Sequence, residues 1–241
     1  MVQPAYKRIL IKLSGESLKQ NRPGVIDSVA CDYVADRIFE IYNLGVQIGV
    51  VVGGGNIFRG NMAMQFGFAR TPADHVGMLA TAINGLILSQ VLSKKGCKVR
   101  VMSAMNFDGI VEMYNWTHAL YSLDEGYVII FVGGTGNPYF TTDTTAAMRA
   151  CELDADILFK ATKVEGVYNK DPTKHLDAIM HTHLTFNEAL AAHVHVMDSP
   201  AIALCRESNI PIHVFQLSQK SAWLRAVTEK QGGTVISNGK K

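Results

Sequence analysis

Short, nearly unbroken apolar runs alternate with amphipathic stretches along the whole chain. The runs predict strands at 8–13, 48–52, 98–102, 127–132, 157–161, 212–216 and 234–237. The 3.6-residue periodicity predicts helices over 28–43, 74–94, 116–125, 144–153, 185–193, 200–208 and 221–230. Val50, Val51 and Val52 make a β-branched run of the kind covered on both faces. Strands alternating with helices imply a mainly parallel sheet between helical layers, a three-layer αβα sandwich. In such sheets ligands bind in loops beyond the C-terminal ends of the strands. Residues 180–184 suggest a short extra strand. The longest loop-like stretch, 163–177, carries Gly166 and Pro172 and reads as a mobile lid.

Composition narrows this picture. With 241 residues the chain can bury one large core or two modest lobes, and 48% hydrophobic content excludes disorder. A formal charge of +2 gives no broad nucleic-acid surface, so basic residues must act locally. No unbroken apolar run reaches membrane-spanning length, and the first residues have no signal-peptide core. Cys31, Cys97, Cys151 and Cys205 form no CxxC pair and read as free thiols of a reducing cytoplasm. No linker or repeat divides the chain, so 1–241 reads as a single domain.

The chemistry concentrates at strand ends. After the 127–132 run comes Gly133-Gly134-Thr135-Gly136-Asn137-Pro138-Tyr139-Phe140-Thr141-Thr142-Asp143. Glycines let backbone N–H groups approach an anion, and the following helix N-terminus favours negative charge. Asp143 is read as the helix cap. Lys12-Leu13-Ser14-Gly15 closes the first strand, where a lysine can reach a phosphate, although the order is not that of a Walker A loop. Gly53-Gly54-Gly55-Asn56-Ile57-Phe58-Arg59-Gly60 closes the second, and Arg59 can hold phosphate with a bidentate fork. A dinucleotide fingerprint fails here. Phe58 holds the third glycine position, and Asp74 begins a helix instead of ending a strand. Lys160 and Lys163 end a further strand, Lys163 alone reading better as a solvated side chain. Together the loops suggest a kinase holding two anionic substrates, with Asp143 and Asp198 as candidates for magnesium contact.

The segments 12–16, 53–60, 74–81, 134–143 and 160–167 resemble the bacterial uridylate (UMP) kinases of the amino-acid kinase superfamily. The match runs in order from Tyr6 to about Ile236. The resemblance implies Mg²⁺-dependent transfer from ATP to UMP, giving ADP and UDP in pyrimidine nucleotide biosynthesis. It places UMP near Gly54, Arg59, Asp74, Thr135, Gly136, Asn137, Pro138, Tyr139, Phe140, Thr141 and Thr142. ATP falls over Lys12, Leu13, Ser14, Gly15, Gly55, Arg59, Thr162, Tyr168 and Asp171. Lys12, helped by Lys160 or Lys163, would stabilise the moving phosphoryl group, and Asp143 would organise magnesium and the lysines. Asp198 is weighed against a plain helix cap, as Asp74 is. The acceptor and oligomerisation lobe would span about 1–153 and the ATP lobe about 154–241. The resemblance further implies a cytoplasmic homohexamer with UTP inhibition. The chain departs from the family at 20–25, where Arg22-Pro23-Gly24 replaces a glycine-rich stretch. GTP activation is therefore expected to be weak, although Arg100 and Trp116 match positions near the family's effector site.

His175, His181, His183, His193 and His195 crowd one region, with His181 and His183 expected on one strand face. A zinc site would need further placed ligands, so solvated or interface histidines are the better reading. Met62, Met64, Met78 and Met102 read as core fillers. Two other functions stay open. One is a superfamily kinase with a carboxylate or carbamate acceptor; the other is a non-catalytic nucleotide-binding protein.

Overall fold

The computed structural model describes residues 3–19, 24–192 and 196–239, with Asn61 described through its backbone only. In chain order the elements are β1 (Arg8–Leu13), α1 (Ser28–Tyr42), β2 (Gln47–Val52), α2 (Gly60–Gln65), α3 (Arg70–Lys94), β3 (Lys98–Ser103), β4 (Glu112–Met113), α4 (Trp116–Asp124), β5 (Tyr127–Val132), α5 (Thr142–Glu152), β6 (Ile157–Thr162), β7 (Val167–Tyr168), β8 (Met180–His181), β9 (His183–Thr185), α6 (Phe186–Ala191), α7 (Ser199–Glu207), β10 (Ile212–Gln216), α8 (Lys220–Thr228) and β11 (Thr234–Ser237).

Nine strands form one sheet in the order β4-β3-β5-β2-β1-β6-β10-β11-β9. Every neighbouring pair is parallel except β10 and β11. β7 and β8 make a separate antiparallel ribbon. Alternate side chains of β1 enter opposite cores, as the two-residue period of a strand requires. Ile9, Ile11 and Leu13 join Val34, Ile38, Leu88 and Trp223 from α1, α3 and α8. Leu10 joins Ala146, Ala150 and Ile202 from α5 and α7. Helices thus cover both faces of the sheet, the expected three-layer sandwich.

The sheet order also separates the chain. β1 to β5 lie on one side; β6, β9, β10 and β11 lie on the other. β1 and β6 meet in the middle, and their register sets Lys12 opposite Lys160. β1 pairs with β2 on one flank and β6 on the other, so the connections leave in opposite directions there. Such a switch point opens a crevice at the strand C-termini.

Several expectations are corrected. α3 begins at Arg70, four residues before Asp74, with Pro72 inside its first turn. A proline is tolerated there because first-turn N–H groups have no helical acceptor. Asp74 is therefore within the helix and is not its cap. The cap of α5 is Thr141, whose hydroxyl accepts from the Asp143 and Thr144 amides, so Asp143 sits in the first turn. Residues 180–184 split into β8 and β9, which belong to different sheets. His181 and His183 consequently do not share a strand face. Residues 163–177 include β7 and are not one loop. Met64 is exposed, whereas Met78 and Met102 are buried as expected and Met62 is half-buried. α3 is long and apolar enough to cross a bilayer by length and composition, contrary to the scan for unbroken runs. Half of that window is buried inside the fold, where α3 packs on the sheet.

Candidate active site

Asp143 lies where the two halves of the sheet meet. Its Oδ1 is 2.7 Å from Lys12 Nζ, and its Oδ2 accepts from Lys160 Nζ at 2.6 Å. The three side chains are only 10–14% exposed. Each is delivered by regular structure: Lys12 by β1, Lys160 by β6, Asp143 by the first turn of α5. Burial alone would raise the Asp143 carboxyl, but the Lys12 and Lys160 ammoniums more than offset it and hold it below the ordinary range. Burial, then the charge of Lys12, pushes Lys160 down to about 8 against the opposing pull of Asp143. Oδ1 accepts no well-directed hydrogen bond although it is buried. Lys163 stays outside this group: its side chain is 81% exposed and 3.9 Å from Glu16.

Asp198 is a cap and more. It accepts from the Ala201 amide at the start of α7, and its Oδ2 takes the hydroxyls of Thr141 and Thr144 at 2.6 and 2.7 Å. One carboxylate thus fastens α7 to the loop-to-helix junction that carries Asp143.

That loop bends through glycines. Gly133, Gly134 and Gly136 all have positive φ, and a Cβ on Gly133 would lie 2.7 Å from Ser103 Oγ. Thr81 Oγ1 on α3 accepts from the Gly133 amide at 2.8 Å. Tyr139 also has positive φ, uncommon for a side chain of its size. Its amide donates to Asp74 Oδ2 at 2.7 Å. Asp74 therefore joins the 135–142 segment instead of capping α3. Thr135 and Asn137 bond each other within the loop, and Tyr139 and Phe140 are exposed. Gly54 rests on α3, where a Cβ would meet Gly77 O at 2.7 Å.

The first two loops touch. A Cβ on Gly15 would lie 2.2 Å from Asn56 Oδ1 and 2.7 Å from Gly53 O. Two buried asparagines, which sequence reasoning missed, hold this junction. Asn84 Nδ2 donates to Gly53 O and to Asn56 Oδ1, each at 2.7 Å, and Asn56 Nδ2 donates to Val25 O at 2.8 Å. The missed signal was Asn84, a polar residue on the apolar face of α3. Arg59 Nε donates to Gly55 O at 2.7 Å, and its guanidinium pairs with Glu16. Glu16 is a third missed residue, visible beforehand only as part of the first loop's motif.

A cleft of about 1450 Å³ opens over the β6 side of the switch point. Lys12, Ser14, Thr162, Tyr168 and Asp171 of the expected ATP set line it; Leu13, Gly15, Gly55 and Arg59 do not. His181 and His183 also line it, and His183 Nε2 is 2.9 Å from Ser237 Oγ. His193, His195 and the segment 20–23 lie outside the described residues. Arg100 donates to Glu112 at 2.8 Å, and Trp116, the first residue of α4, is exposed. Among the described residues no three His, Cys, Asp or Glu side chains gather as a metal cage.

Residues 7–216 match the family model of the amino acid kinase family. The uridylate kinase of Protochlamydia amoebophila is 48% identical over 97% of this chain and 94% of its own length. That of Acinetobacter baumannii is 44% identical over 98% of each. Among solved structures, the UMP kinase from Bacillus anthracis superposes with a TM-score of 0.95 at 38% identity, covering 98% of this chain and 97% of that one. The UMP kinase from Ureaplasma parvum gives 0.91, also at 38% identity, covering 98% of this chain and all of that one.

Proposed function

Because the chain belongs to the amino acid kinase family, and its near full-length relatives are uridylate kinases, we propose that it transfers the γ-phosphoryl group of ATP to UMP. The products are ADP and UDP, precursors in pyrimidine nucleotide biosynthesis. The observation that carries this reading is the buried Lys12–Asp143–Lys160 group at the boundary between the two halves of the sheet. Phosphoryl transfer needs positioning and neutralisation of charge on the moving group more than covalent chemistry. Two ammoniums fixed in a poorly solvated site act there far more strongly than in water.

In this reading the donor occupies the cleft on the β6 side. Lys12 and Ser14 face its phosphates, and Thr162, Tyr168 and Asp171 line the remainder; Leu13, Gly15 and Gly55 stay in the donor set on the family resemblance alone. The acceptor lies on the β2 and β5 side, its ribose hydroxyls on Asp74 and its base within 135–142. Arg59, on the loop between them, reaches the phosphate region, where nucleotide oxygens replace Glu16 as its partner. Lys12 and Lys160 then neutralise the charge that spreads over the transferred group. UMP needs no general base, because its phosphate is largely dianionic near neutral pH and can attack directly. In this reading the acceptor and donor lobes divide at about 153/154.

Magnesium fits this donor set as an ion that arrives with the nucleotide. It prefers oxygen and needs only one or two carboxylates beside substrate phosphates. Asp143, with its buried and poorly directed Oδ1, would hold it directly or through water, with Asp198 nearby. When bound it would supply charge neutralisation between donor phosphates.

The exposed apolar side chains Leu79 and Ile83 on α3, with Ile110, Met113 and Trp116, support self-association; the homohexamer is taken from the family resemblance. A soluble cytoplasmic enzyme inhibited by UTP, with a weak GTP response set by 20–25, completes the proposal.

Coupled ADP release with a panel of acceptors tests it. UMP should support turnover, dUMP and CMP should be poorer, and carbamate, aspartate, glutamate and acetylglutamate should give background rates. Turnover with a carboxylate or carbamate and none with UMP would move the chain to another branch of the family. Nucleotide binding without any ADP release would make it a non-catalytic binder.

A further inference from the structure

Arg70 sits where helix energetics do not favour it. It is the first residue of α3, against the positive end of the helix dipole, and the preceding Ala69 provides no side-chain cap. Its partner Asp74 lies four residues on, and a base placed N-terminal to an acid is the weaker orientation for such a pair. The local sequence thus gains little from arginine at this position. Residues that break local rules without local gain are expected where function requires them.

The geometry supplies that requirement. Arg70 Nε donates to both oxygens of Asp74, at 2.9 Å to Oδ1 and 2.7 Å to Oδ2. Oδ2 also takes the Tyr139 amide at 2.7 Å. The Arg70 guanidinium lies over the Tyr139 ring, 5.4 Å from its centroid. One side chain therefore fixes the plane of the carboxylate and leans on the residue whose positive φ shapes the 135–142 loop. An ionised carboxylate has about four acceptor sites, so one pinned from this side keeps capacity for further donors.

We propose that Arg70 is a positioning residue for the acceptor's ribose. It aims Asp74 so that the carboxylate accepts the 2′-hydroxyl, and by this route it sets discrimination between ribo- and deoxyribonucleotide acceptors. The inference rests on the reading of Asp74 as the ribose acceptor. Arg70 itself touches no reacting atom.

The test compares wild type, Arg70→Gln, Arg70→Lys and Asp74→Asn, with kcat and KM measured separately for UMP, dUMP and ATP. Far-UV circular dichroism monitors the fold. Arg70→Gln should raise KM for UMP and reduce the UMP-to-dUMP ratio of kcat/KM by about tenfold, the scale of one lost hydrogen bond to a charged group. The kinetics for dUMP and the KM for ATP should change little. Arg70→Lys should recover part of the ratio, since it keeps the charge and loses the planar guanidinium that sets Nε against both oxygens. A ratio unchanged in Arg70→Gln but collapsed in Asp74→Asn overturns the role of Arg70 and leaves the ribose reading intact. A ratio unchanged in Asp74→Asn removes the ribose reading, and the inference with it. Equal losses for UMP and dUMP would show only structural support and also overturn it. Should Arg70→Gln fail to fold, Arg70→Lys decides: an intermediate ratio supports the proposal and a wild-type ratio overturns it.

Discussion

Replacing Asp143 by asparagine keeps the side-chain shape and removes one negative charge from between two buried ammoniums. In the wild-type fold that charge has contacts of 2.7 and 2.6 Å, with all three side chains at most 14% exposed. Breaking a buried pair by removing one member typically costs about 3–5 kcal/mol, because the other charge stays behind unpaired. Here two like charges stay behind. Lys160, already depressed to about 8, should be driven lower still and relieve part of the strain by losing its proton. A net cost of about 3 kcal/mol is therefore expected. For a chain of this size that lowers Tm by roughly 6–12 °C. Turnover should fall by about 10²–10³, the usual scale for losing one preorganised electrostatic contact, with a smaller change in KM for UMP. Differential scanning fluorimetry and initial-rate kinetics measure both. Adding ATP should raise Tm more in the variant than in the wild type, because nucleotide phosphates supply the missing counter-charge. The double variant Asp143→Asn with Lys160→Gln should melt above the single variant. An Asp143→Asn enzyme with wild-type Tm and wild-type turnover would refute the reasoning.

The lowered Lys160 implies a basic limb in the pH–rate profile. The ammonium is needed and is lost as pH rises through about 8, so kcat/KM should fall above that pH. Bound phosphates favour the charged form, so the limb in kcat should lie higher; Lys160→Arg should flatten it, and an identical limb in that variant would remove Lys160 as its source. Arg59→Lys should raise KM for UMP several-fold despite the kept charge, since lysine cannot both hold Gly55 O and present a fork; unchanged kinetics would take Arg59 out of the phosphate region. Gly15→Ala should destabilise by about 1–3 kcal/mol and lower kcat/KM for both nucleotides. Its Cβ would lie 2.7 Å from Gly53 O, backbone that cannot step aside; a wild-type melting temperature would show the loops to be looser than their packing.

What was legible in the sequence follows from what is local. Apolar runs located β1, β2, β3, β5, β6, β10 and β11, and loop composition located Lys12, Asp143 and Lys160. The start of α3 was misplaced because Pro72 reads as a breaker, although a first-turn proline sacrifices no helical hydrogen bond. β4 and β7 span two residues each, too short for a period to register, and the single strand expected at 180–184 is divided between β8 and β9. Glu16, Asn56, Asn84 and Arg70 were missed as partners because their significance lies in contacts. Asn84, for example, meets Asn56 and Gly53 across 28 and 31 positions of chain. The opposition of Lys12 to Lys160 is a matter of strand register, which no single segment encodes.

That opposition is why the proposed transfer point falls at the centre of the sheet. A phosphoryl group passing between two nucleotides must be held by elements belonging to both sites, and only neighbouring strands from the two halves satisfy this. β1 and β6 are that pair, and each carries a lysine near its C-terminal end. Two ammoniums on adjacent strands would repel, and both strands are buried, so the fold requires an anion between them. Asp143 supplies it from α5, which packs across β1, β2 and β6. Asp198 then ties the N-terminus of α7 to the same helix start through Thr141 and Thr144. The charge between the two lysines is thus carried by a helix packed against strands of both halves. In the proposed reaction incoming phosphates would compete with Asp143 for the same two lysines. On the proposed function, substrate binding would in this way be coupled to the ion pairs at the sheet centre through one carboxylate.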